Sequence, residues 1–241
     1  MAIELPGEVV SFLQFIGVNW PQVNEDSVRE FGVHVREFAD NLSRTHENAG
    51  STIQQLGEAY QGAGYEVLAA KWAQLSDTHM RELIEACHVV STALDLAADA
   101  IIAMKVEAIG ELIGMAAAFV ADQAAAVVTF GAAEAALLLI EEAAEKLVDF
   151  LVQQMEQYII GQVMEAAINP LIETVEKAVS GLAYHAVESA LGVSGDGSVG
   201  EGFRIQPDAV MAHAQTMRQH AEEVRGHGDA FLSKLSGVSF E

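Results

Sequence analysis

The stretch AYQGAGYEVLAAKW at residues 59–72 limits the possible folds more than any other part of the chain. It is a glycine-containing break between two long apolar stripes. Before it, apolar or small residues recur at Val28, Phe31, Val35, Phe38, Leu42, Thr45, Ala49, Ile53, Leu56 and Tyr60. After it the pattern resumes at Tyr65, Leu68, Trp72, Leu75, His79, Leu83, Ala86 and Val90. Steps of three and four residues put one apolar seam along each of two helices. Gly62 and Gly64 supply the backbone freedom that lets the second helix fold back on the first. The expectation is a long antiparallel helical hairpin with an aromatic at its tip.

Composition agrees with helices throughout. The 241 residues are 51% hydrophobic and 7% aromatic, with only four prolines. No segment shows the alternating, β-branched pattern of a sheet protein. The fold class expected is all-α, an elongated bundle built on the hairpin and extended by long Ala-rich helices. The formal net charge is -23, with 35 acidic residues against 12 Lys and Arg. Nucleic acid needs a basic face to neutralise its phosphates, and this chain offers none, so it is not an expected partner. Docking to anionic lipid is disfavoured for the same reason.

Along the chain, Pro6 opens a short helix over residues 6–16 that Gly17 and Asn19-Trp20-Pro21 end. Asn24 precedes Glu25 and Asp26 as an N-cap with acidic residues in the first turn. The hairpin is expected over about 25–103 and Ala-rich helices over about 104–168, with a bend at Gly110, Gly114 or Gly131. Asn169-Pro170 reads as a break and restart, followed by a helix over 170–191. The first domain therefore covers 1–191. A linker at 192–204 contains the run GVSGDGSVGEG. The segment 205–241 starts a further helix at Pro207, with a seam at Val210, Ala214, Met217, Ala221, Val224, Gly228, Phe231 and Leu235. A single amphipathic helix cannot bury its own stripe. It docks on the bundle, pairs with another chain, or forms half of a second hairpin.

Residues able to carry chemistry are few. His213, His220 and His227 recur every seven residues, and neighbours would lie about 10.5 Å apart along a helix, too far to share one metal. They read as a solvated flank of the last seam, and His79 as a packed or interface residue. Cys87, the one cysteine, excludes an intrachain disulfide and a cysteine-based zinc site. It reads as a buried, inert thiol. The chain contains no nucleophile elbow, zinc-protease helix, phosphate loop or dinucleotide fingerprint. No enzyme activity, metal or cofactor is expected.

AYQGAGYEVLAAKW resembles the Trp-x-Gly turn of the WXG-type family of ESX-secreted proteins, with Tyr60 in the tryptophan position and Gly62 in place. The upstream NWPQVNEDSVREF, with Trp20-Pro21, resembles a narrower branch. That branch is the WXG-like N-terminal domain of actinobacterial polymorphic toxins and of mycobacterial channel-and-toxin precursors. The architecture matches over roughly residues 1–190, and the two short motifs are its specific part. The resemblance implies a helical export module of type VII secretion. It assigns the hairpin tip to Tyr60, Gly62, Tyr65 and Trp72. Family members also carry a Tyr-x-x-x-Asp/Glu export signal, and Tyr184-His-Ala-Val-Glu188 has that form. The family's signal directly follows its first hairpin, whereas this one comes at the end of the bundle.

The function expected is a non-enzymatic export or interaction module of a type VII secretion substrate. It would act as the N-terminal domain of a toxin or as a standalone partner. Its own partners would be a small WXG-type helical protein or a second copy, together with the secretion machinery. MAIELPGEVVSFLQFIGVNW lacks a basic region and a cleavage site, so export without a cleaved leader, from the cytoplasm to the outside or the cell surface, is expected. An alternative is a pore formed by membrane insertion of residues 97–140. Leu112 to Ala133 carries one charge, Asp122, in a length that could span a bilayer. That buried charge, at about 3 kcal/mol on insertion scales, weighs against it.

Overall fold

The computed structural model describes residues 3–75, 79–126, 132–176 and 204–239. Among them are six α-helices: α1 (Gly7–Ile16), α2 (Glu25–Ala59), α3 (Ala63–Leu75), α4 (Arg81–Ala126), α5 (Ala132–Tyr158) and α6 (Pro207–Leu235). Two short strands, β1 (Tyr60–Gln61) and β2 (Arg204–Ile205), pair antiparallel. The fold is all-α, as composition and periodicity predict.

The helix boundaries follow local chemistry. Gly17 closes α1 in the left-handed region at φ 74°, a conformation that side-chain-bearing residues rarely adopt. The Asn24 side-chain oxygen accepts from the backbone N–H of Asp26 and Ser27, capping α2. Pro207 takes the first turn of α6, where its missing N–H is not needed.

Three expectations about the long helices are corrected. The second arm of the hairpin does not end near 103, because α4 runs on to Ala126. It runs as one helix through Gly110 and Gly114, and a Cβ added at either would meet nothing within 4 Å. Gly131 lies outside the described residues. Asn169-Pro170 is no break: a π-helical stretch at Ile159–Ile168 leads directly into helical turns over 169–176. The helix α6 runs through Gly226 and Gly228 to Leu235, where its expected seam ends.

The chain divides into two compact units. Unit 1 comprises Met1–Glu30, Ala93–Glu165 and Ser239–Glu241; unit 2 comprises Phe31–Thr92 and Ala166–Val238. In unit 1, Val9, Phe12 and Leu13 of α1 pack with Leu112, Ala116 and Phe119 of α4 and with Ala144 and Val148 of α5. The Phe12 and Phe119 rings meet tilted at 5.2 Å, a favourable edge-on arrangement. The first turn of α2 pairs with α4 here through Glu25–Lys105 and Arg29–Asp99.

In unit 2 the buried face of α2 includes Val35, Ala39, Leu42, Ala49, Ile53 and Leu56, and that of α4 includes Cys87 and Val90. Asp40 lies 4.0 Å from His88 across the same helix pair. Progress along α2 thus matches retreat along α4, the antiparallel pairing the two stripes predict. Leu68, expected in the seam of the second arm, is instead exposed, because α3 meets α2 through its aromatics.

Candidate functional site

The hairpin tip is built in unit 2 from three aromatics. Tyr60 ends the first arm in β1, opposite Ile205. Gly62 makes the turn at φ 155°, a conformation side-chain-bearing residues rarely adopt. Its carbonyl then accepts from Tyr65 N–H at 3.0 Å and Glu66 N–H at 3.3 Å, starting α3. Tyr65 lies against Gly57, where an added Cβ would come within 2.5 Å of the ring. The Tyr60 hydroxyl occupies the space beside Gly64 in the same way. Trp72 stacks on His46, with centroids 5.1 Å apart and planes at 19°, and its Nε1 lies close to Gly50.

Tyr60, Gly62 and Tyr65 thus lie together at the turn between α2 and α3, whereas Trp72, near the far end of α3, meets α2 at His46 and Gly50. Gly50, Gly57 and Gly64 recur every seven residues, and each accommodates one ring. That glycine spacing is legible in the sequence but goes unread beside the aromatics. Burial holds the His46 imidazole below its usual range, keeping it neutral against the indole face.

A second constellation lies along α6. His220 Nε2 meets Thr52 Oγ1 at 3.3 Å, and one heptad away His227 Nε2 meets Thr45 Oγ1 at 2.9 Å. Phe231 stacks on Phe38 at 4.8 Å, and Lys234 pairs with Glu37. The Gln206 N–H reaches the Ala59 carbonyl at 2.8 Å, tying down the start of the helix. His220 and His227 are thus in the seam rather than on a solvated flank. Ala214 and Ala221, expected in the seam, are exposed. The signal available in the sequence was the matching seven-residue spacing of Thr45 and Thr52. Among the described residues no group of three or more His, Cys, Asp or Glu is placed to hold a metal.

Trp20 and Pro21 lie in unit 1, in the loop between α1 and α2. They line a cavity of about 410 Å³ with Ile3, Leu5, Val10 and Lys105, and Trp20 also packs on the core of that unit. Below the loop, Glu25 is fully buried. Burial alone would raise its carboxyl, but hydrogen bonds from Lys105, at 2.7 Å, and from the Ile3 N–H hold it below the usual carboxylate range. Lys105 also donates to the Val23 carbonyl. This lock joins positions 80 apart in sequence, which no local pattern announces. Tyr184 and Glu188 lie outside the described residues.

A family model described as "WXG100 like domain" matches residues 3–147, which include α1, the Trp-Pro loop, the hairpin tip and most of α5. The chain belongs to the WXG100-like domain family. WXG100-like domains are secretion-associated helical proteins that act through helical protein–protein contacts. No curated protein and no solved structure matches the chain. The match puts the WXG100-like domain across both compact units, with α6 beyond its end. Among the described residues no helix is long and apolar enough to cross a membrane.

Proposed function

We propose that this WXG100-like protein is a non-enzymatic export and interaction module of a type VII secretion substrate, either the N-terminal domain of a toxin or its standalone helical partner. The observation that carries this reading is the family match over residues 3–147, laid on a helical hairpin whose turn depends on Gly62. In this reading the module is made in the cytoplasm and exported to the outside or the cell surface. It works by presenting helical seams to a partner hairpin, which completes a bundle that neither chain forms alone. Tyr184 and Glu188 act as the export signal, and the tip around Tyr60, Gly62, Tyr65 and Trp72 sets the shape that the machinery or the partner meets.

The test is secretion of the full chain from a host with an active type VII system and from the same host with that system disabled. Export that depends on the system, and that falls in Tyr184→Ala and Glu188→Ala while helicity is unchanged, supports the reading. Export that is unaltered in both variants overturns the signal assignment. Absence of system-dependent export overturns the module itself.

A further inference from the structure

Among the described residues, one face of α4 in unit 1 carries a seam that is left exposed. Ala103, Val106, Gly110, Ile113, Ala117 and Val120 follow one another at steps of three and four, and all six are exposed. Val106, Ile113 and Val120 are large apolar residues at 55%, 42% and 66% exposure. The small residues Ala103, Gly110 and Ala117 alternate with them, and the space above Gly110 is open.

Large and small positions alternating at steps of three and four form knobs and holes for one helix crossing at a shallow angle. The seam is about 26 Å long at 1.5 Å per residue, long enough for five turns of a partner helix. At its far end it opens into a groove of about 560 Å³ between α1 and α4, lined by Glu8, Phe12, Phe15, Phe119 and Val120. Phe15 is 64% exposed there and tilts against Phe119 at 5.0 Å. A contiguous apolar face of this kind marks an interaction site more often than chance exposure does.

Charge selects the occupant. Among the described residues unit 1 has three basic side chains, Arg29, Lys105 and Lys146, and each is paired internally, with Asp99, Glu25 and Glu142. The seam and groove are bordered by the acidic side chains of Glu107, Glu111 and Glu8, with no cation of the unit left to offset them. A second copy would bring the same carboxylates to the contact, in a chain whose net charge is -23. We infer that the Ala103–Val120 seam of α4, with the Phe15 groove at its end, docks a helix of a different protein whose apolar stripe is flanked by Lys or Arg. This inference rests on the reading of the chain as an interaction module and names the chemistry of its partner.

The probe is a labelled helical peptide of about 21 residues with a leucine seam and lysine flanks, compared with the same peptide carrying glutamate flanks. Both are titrated by fluorescence anisotropy against the full chain at about 0.15 M salt, where long-range attraction is screened. The lysine peptide is expected to bind and the glutamate peptide not to bind. Ile113→Asp and Val120→Asp should each weaken binding by about tenfold or more, as loss of a central apolar contact does. Both sites are exposed, and circular dichroism checks that the variants remain helical. Glu107→Lys should also weaken binding, whereas Glu222→Lys, an equal charge change on α6, should not.

Four results overturn the inference: no binding of the lysine peptide, equal binding by both peptides, binding indifferent to the seam substitutions, or equal effects of Glu107→Lys and Glu222→Lys. A concentration-dependent dimer in sedimentation that Val120→Asp abolishes would assign the seam to a second copy, and also overturns it. Export is scored separately on the same proteins. Intact export with no peptide binding rejects the docking face and leaves the export reading standing; the opposite pattern rejects the export reading alone.

Discussion

Glu25 and Lys105 form a buried ion pair in unit 1. Both are buried, so removing one partner strands the other charge. Glu25→Gln or Lys105→Met is expected to lower unfolding free energy by about 3–5 kcal/mol, while the double replacement Glu25→Leu with Lys105→Met should recover much of the loss. Chemical denaturation of the three variants measures this. Because the folded carboxyl is held below its usual range, the stability it adds is complete above the unfolded value, about 4.3, and is lost as pH falls through the folded one. Glu25→Gln should therefore flatten the acid limb of the stability profile. At Cys87 burial pushes the thiol up to about 11. Native protein should resist maleimide at pH 8 and react promptly once unfolded, since thiolate is the nucleophile; mass spectrometry follows both.

At the scale of elements, α3 is held on α2 by rings seated over glycines rather than by an aliphatic seam. Gly57→Ala should force the Tyr65 ring aside and lower stability by about 1–3 kcal/mol, as overpacking does. Combining it with Tyr65→Ala should cost less than the sum of the two single changes, a coupling that thermal unfolding can resolve. The elements most legible in sequence were those with local signals: the Asn24 cap, the Gly17 stop, the Pro207 start and the Gly62 turn. Those that escaped depend on neighbours. The length of α4 hides behind alanines that suit a buried helix and a helix end alike, and no sequence signal marks the π-helical stretch that leads into the turns at Pro170. The seam of α6 ran one residue off at His220 and His227, because histidine reads as a surface residue until a threonine stands opposite it.

At the scale of the whole molecule, net charge opposes compactness. With 35 acidic against 12 basic residues, self-repulsion acts on both units. Raising salt from about 0.02 M to 0.5 M shortens the screening length severalfold and should raise the melting temperature by about 2–4 °C, read by circular dichroism. A melting temperature that does not move would show that repulsion is already neutralised within the fold. The class of fold was plain from composition and periodicity. The candidate site was legible only in part: the tip residues are in sequence order, whereas the Glu25–Lys105 lock and the threonine–histidine pairs are products of folding.

Those pairs have a consequence for how α6 finds its place. An aliphatic seam with a seven-residue repeat can be shifted by one repeat at little cost, but this one cannot. A shift in one direction sets His227 against Phe38; in the other it sets His220 against Ala59, and each loses one of the two hydrogen bonds. When the helix lifts away, water replaces both partners, so departure is easy and only the return is selective. The contact behaves as a key whose teeth index a single position, and its value to the chain is alignment more than adhesion.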